Sequence, residues 1–199
     1  MSGAVFSKTY KAPPIAEKEI LRYASCKEAD EALLVLMRSC IREAEEGLTY
    51  KVCWKILPVR VEGAVCDFEV FQVHSKQLAI ALSGCREVLL FAATVGVEQD
   101  RLIAKYGRLS PAKALLHQAI GAERIEALCN LFCKEMEAEH GEPLRPRFSP
   151  GYGDLPLAVQ RDLFRVLDCT KRIGLSLNDS LLMSPSKSVT AFAGFGRKE

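Results

Sequence analysis

Between residues 15 and 47 the apolar positions fall at helical spacing. Ile15, Ile20, Leu21 and Tyr23 mark a short helix over 15–26. Ala32, Leu33, Leu36, Met37, Cys40 and Ile41 then share one face of a second helix, from about Lys27, which Gly47 closes. From Thr49 the period changes to two. "TYKVCWKILPVRVEG" and "AVCDFEVFQV" read as paired strands, with Pro58 at a bend or an edge. "HSKQLAIALSG" predicts a short helix capped by Ser75, and "CREVLLFAATVG" a buried strand ending at Gly96.

A helix is expected over roughly 98–106. A much longer one follows from Ser110 to about His140, with Ser110 as N-cap and Pro111 at its first position. Gly121 lies inside that pattern and predicts a kink or a break. "RFSPGYGDLP" (147–156) interrupts the helices with two prolines and two glycines. An amphipathic helix through "LAVQRDLFRVLDC", a "TKRIG" turn and two short extended pieces around Pro185 complete the chain. Residues 1–14 read as an N-terminal arm ended by "APP", and 15–199 as one domain. Strands and helices are mixed without regular alternation, so the expected class is α+β, a largely antiparallel twisted sheet with flanking helices.

Composition narrows the function. With 49% hydrophobic and 26% charged residues, the 199-residue chain has the make-up of an ordinary globular protein. A net charge of +2 without a block of like charges gives no basic face for nucleic acid. No apolar run is long enough to span a membrane, and "MSGAVFSKTYKAPP" lacks the layout of a signal peptide, so a cytoplasmic protein is expected. Eight scattered cysteines without a CxxC pair fit reduced, buried thiols. Cys129, Cys133 and His140 are the one set from which a metal site can be imagined, at spacing looser than metal sites use. Phosphate-loop, GxGxxG, GxSxG and HExxH motifs are absent. His74, His117 and His140 sit in separate elements and read as boundary or surface residues.

Two features carry candidate chemistry. In Arg147-x-x-x-Gly151-Tyr152 a planar guanidinium suits a carboxylate, a Pro-Gly turn brings backbone groups close to a ligand, and a tyrosine ring offers a face for a heterocycle or sugar. The same residues also serve as a plain helix-to-helix connection. Glu126 falls beside the buried face marked by Ile125, Leu128, Cys129 and Phe132. There it can meet a ligand ammonium, or a protein cation such as Arg124 or Arg147.

The stretch from Arg147 to Phe195 resembles the C-terminal part of the activation domain of cobalamin-dependent methionine synthase. "RFSPGY", "KRIG", "LSLNDS" and "MSPSKSV" recur in that family's order and with little change in spacing. The resemblance spans roughly 75–195 well and the first third loosely. It implies a shallow groove for S-adenosylmethionine, with Arg147 on the methionine carboxylate and Glu126 near the amino group. The backbone around Ser149 and Gly151 would face the adenine, and Tyr152 would pack on the ligand. It further implies a role in reductive remethylation of cobalamin. No cobalamin-binding module lies in this chain, so cobalamin would come only on a partner methyltransferase, with a flavodoxin-like protein as electron donor. The family domain continues beyond the point matching "SVTAFAGFG" and adds a ligand-side tyrosine, for which no counterpart is expected here. Two rivals compete: a non-catalytic scaffold that docks on a cobalamin-binding protein without S-adenosylmethionine, and a freestanding methyltransferase with another acceptor. The missing glycine-rich nucleotide loop counts against the latter.

Overall fold

The computed structural model describes residues 4–196. Residues 1–3 of the expected arm and 197–199 lie outside the described residues. The chain opens with β1 (Phe6–Tyr10), α1 (Glu17–Tyr23) and α2 (Glu31–Glu45), then β2 (Tyr50–Pro58). A small meander follows as β3 (Arg60–Glu62), β4 (Val65–Asp67) and β5 (Gln72–His74). Next come α3 (Lys76–Leu82), β6 (Glu87–Thr94), α4 (Glu98–Leu109) and the 30-residue α5 (Pro111–His140). The last part holds α6 (Gln160–Leu167), α7 (Cys169–Ile173), a hairpin of β7 (Ser176–Leu177) and β8 (Met183–Ser184), and β9 (Ser188–Gly194).

The helix starts follow from local chemistry. Asp30, Ser75 and Ser110 each accept a backbone N–H three residues on, and Pro111 takes the first position of α5, where its missing N–H is not needed. Gly141 and Gly174 stop α5 and α7 in the left-handed conformation.

The main sheet runs β1-β2-β6-β9 and is antiparallel throughout. Strand alternation divides the core into two layers. Cys53, Leu57, Val88, Leu90, Ala92 and Phe192 face α3, α6, α7 and the small sheet. Val52, Leu89, Phe91, Ala191 and Ala193 face the second half of α5, where Phe132 packs against Trp54 and Phe91. β6 is buried on both faces, which explains its unbroken apolar run. The first half of α5 packs with α1, α2 and α4 as a helical layer beside the sheet.

Three expectations change. The supposed arm contains β1, paired with β2 from Phe6↔Trp54 to Tyr10↔Tyr50, so its middle five residues form an edge strand of the sheet. Gly121 does not break α5, which is continuous from Pro111 to His140. A Cβ there would meet Gln99 Cγ and Lys187 Cγ at 2.8 Å, so glycine admits a close approach of neighbouring elements. His117 is fully buried, stacked on Tyr106 at 5.2 Å, and burial lowers its pKa. Among the described residues no helix is long and apolar enough to cross a membrane.

Candidate functional site

The site grows from the outer edge of β9. Phe148 and Phe192 exchange both backbone hydrogen bonds at 2.8 Å, and the Arg145 N–H donates to the Gly194 carbonyl at 2.9 Å. Residues 145–148 are thus laid along the strand edge, and the chain departs from it at Ser149. Pro150 and Gly151, the latter at φ +91, turn the backbone away. The turn closes on itself: Tyr152 N–H donates to the Ser149 carbonyl at 3.1 Å, Gly151 N–H to Leu155 at 2.9 Å, and Leu155 N–H to Tyr152 at 3.0 Å.

A second anchor ties this loop to α3. The Asp154 carboxylate accepts from the Ser75 hydroxyl at 2.5 Å, the Lys76 N–H at 2.8 Å and the Gln77 N–H at 3.2 Å. Gly153, at φ +54, passes so close to Gln77 that a Cβ would overlap its side-chain amide. These bonds hold the Asp154 carboxyl below the ordinary carboxylate range, with Ser75 the main cause. The lower folded pKa makes the contribution full above about pH 4 and loses it as pH falls through the folded value. Asp154→Asn should therefore lower the thermal midpoint at neutral pH, with the gap to the parent closing in acid. A gap of constant size from pH 7 to pH 3 would assign the effect to geometry instead of charge.

Between this loop, α5 and β9 lies a cavity of about 380 Å³. The structure brings four of the five expected residues to it: Glu126, Arg147, Ser149 and Tyr152 all line its wall. Gly151 does not; it shapes the turn behind the wall, and its N–H is spent on Leu155. Arg147 Nη2 pairs with Glu126 Oε2 at 2.6 Å, and its Nη1 donates to Asn130 Oδ1 at 2.8 Å. Of the two cations open to Glu126 from the sequence, Arg147 is the partner; Arg124 turns instead to Glu123. Five guanidinium N–H groups leave capacity for a further carboxylate, and Glu126 keeps its second oxygen for a cation. One wall therefore presents both charges of an amino-acid zwitterion their opposites. Tyr152 lines the cavity and is 68% exposed, so much of its ring stays open to solvent.

Sequence reasoning missed Gln160, Met183, Ser188, Val189 and Thr190, which complete the lining. For Gln160 a signal existed. It precedes Leu163 and Leu167 by three and seven residues, and those three are the buried positions of α6. A polar residue on the buried stripe of an amphipathic helix asks for a partner.

Cys129 lies buried behind Arg147, and Cys133 approaches the Arg147 Nη1 at 4.0 Å; burial raises both thiols. His140 lies elsewhere, stacked on Phe195 at 3.7 Å and bonded to Glu87 at 3.0 Å. Among the described residues no group of three or more His, Cys, Asp or Glu could hold a metal ion.

The fold, a four-stranded antiparallel sheet with a long helix on one face and a loop along its strand edge, matches that of a solved domain. The solved structure that carries the comparison is the crystal structure of the MetH reactivation domain bound to AdoHcy. It superposes with a TM-score of 0.72 at 14% identity, over 98% of this chain and 79% of that one. No family model matches the chain, and no curated protein matches its sequence.

Proposed function

We propose that the chain binds S-adenosylmethionine in the cavity beside β9 and serves reductive remethylation of cobalamin carried by a separate methyltransferase. The observation that supports this most is the Arg147–Glu126 pair in the cavity wall, set on a fold whose solved counterpart was crystallised with AdoHcy. Arg147 takes the ligand carboxylate and Glu126 the ammonium. Ser149 and Tyr152 border the remainder. The bound ligand supplies an electrophilic methyl group on sulfur, and a reduced flavodoxin-like partner supplies the electron. This chain's residues hold and aim that methyl group, so its contribution is proximity and orientation.

Calorimetric titration with S-adenosylmethionine tests the reading. Saturable binding at one site, competed by S-adenosylhomocysteine, is the expected result. Absence of heat with either ligand, alone or with a cobalamin-binding partner, would sink it. The scaffold reading, which leaves the cavity without a ligand, would then stand.

A further inference from the structure

We infer that Gln160, assisted by Thr190, reads the amino edge of the ligand's purine and makes the site selective for adenine. This rests on the proposed reading of the cavity. Gln160 is 6% exposed and Thr190 2%, and both line the cavity. Gln160 Oε1 and Thr190 Oγ1 are buried without a hydrogen-bond partner, which in a folded protein is rare enough to need an explanation.

Two neighbouring polar groups are already used. Gly151 N–H is committed to Leu155, and the Ser188 hydroxyl donates to Thr94 Oγ1 or the Pro185 carbonyl, at 2.8 and 2.7 Å. The strand edge adds to the unspent set. In an antiparallel ladder both backbone polar groups of a residue point to the same side, and the side alternates. Phe192 and Gly194 direct theirs away from β6, to Phe148 and Arg145, while the Lys187 carbonyl points back toward Val95. Thr190 shares the phase of Phe192, so its N–H and C=O face the outer edge. Pairing there stops at Phe148.

These groups carry no charge, unlike Arg147 and Glu126, and they combine donors with acceptors. A primary amide presents one of each side by side, the pattern that matches adenine's amino group and adjacent ring nitrogen. The buried Gln160 oxygen needs a donor, and the exocyclic amine is one. Hypoxanthine puts an acceptor in its place and leaves that oxygen unpaired.

The test is calorimetric titration of the parent, Gln160→Met and Thr190→Val with S-adenosylhomocysteine and S-inosylhomocysteine. Both variants keep side-chain volume while removing the unpaired polar atoms. The parent should prefer the adenine ligand by about 10- to 100-fold, the range of one bidentate base contact. In Gln160→Met the preference should collapse to within about threefold, through weaker adenine binding and not stronger inosine binding. Thr190→Val should lose part of it. Equal binding of both ligands by the parent overturns the inference and leaves the S-adenosylmethionine reading standing. So does undiminished preference in folded variants, checked by near-ultraviolet circular dichroism. If Gln160→Met does not fold, Thr190→Val decides alone. If the parent binds neither ligand, reading and inference fall together.

Discussion

Arg124→Leu is expected to destabilise the fold by about 3–5 kcal/mol, the range for breaking a buried ion pair from one side. Arg124 is 1% exposed and Glu123 3%. The guanidinium meets the carboxylate with two bonds, Nε to Oε2 at 2.5 Å and Nη2 to Oε1 at 2.7 Å. It also donates to the Pro13 carbonyl at 2.7 Å and the Pro14 carbonyl at 2.8 Å, while Glu123 accepts from the Ala16 N–H at 3.1 Å. One buried pair therefore fastens the segment between β1 and α1 onto α5. Removing the cation strands a carboxylate and two carbonyls away from water, and leucine cannot satisfy them. Urea unfolding should report the loss as a lower midpoint at unchanged slope. Glu123→Leu combined with Arg124→Leu should recover part of it, because no charge is then left unpaired. A single variant within about 1 kcal/mol of the parent would mean that water replaces the guanidinium there.

That clamp marks the limit of what was legible beforehand. Neighbouring positions on a helix do not face each other, so "ERIE" gave no reason to pair Glu123 with Arg124 across one step. The two meet because both bend toward a proline segment more than a hundred residues earlier. Local signals fared better. Ser75 and Ser110 cap through bonds to an N–H three residues on, Pro111 acts by its own ring at the helix start, and period-two alternation in β2 and the apolar run of β6 report burial directly. β1 was missed for the opposite reason. Its residues are mostly exposed and alternate weakly, and only pairing with β2 makes "FSKTY" a strand. Gly121 carried the right alarm but the wrong cause, since close approach by Gln99 and Lys187 cannot be seen from within one helix. In the site, the motif residues Arg147, Ser149 and Tyr152 were visible together in one loop. Glu126 was visible by its place on a helix face and through the family resemblance. Thr190 had no local signal, because its significance comes from where the loop leaves the strand edge.

Arg147→Ala separates binding from stability. In the protein without ligand the Arg147–Glu126 pair is partly solvated, its side chains 23% and 41% exposed. Its loss should shift the unfolding free energy by about 1 kcal/mol or less. Bound ligand changes the account. A carboxylate seated against the guanidinium is removed from water, and its charge-assisted bonds weigh about 2–3 kcal/mol, or roughly 30- to 150-fold in Kd for S-adenosylmethionine. Arg147→Lys should fall between, since a point charge survives but the planar fork does not. Glu126→Gln should weaken binding less than Arg147→Ala, because it removes the countercharge to the ammonium while keeping an acceptor for it. Affinity and stability measured on the same samples distinguish the outcomes. A large drop in affinity with an almost unchanged midpoint is the signature of a guanidinium held in place for a ligand. Equal affinity in Arg147→Ala and the parent would mean that the carboxylate is held elsewhere, and the arginine would then be only the fastening that joins the loop to α5 through Glu126 and Asn130.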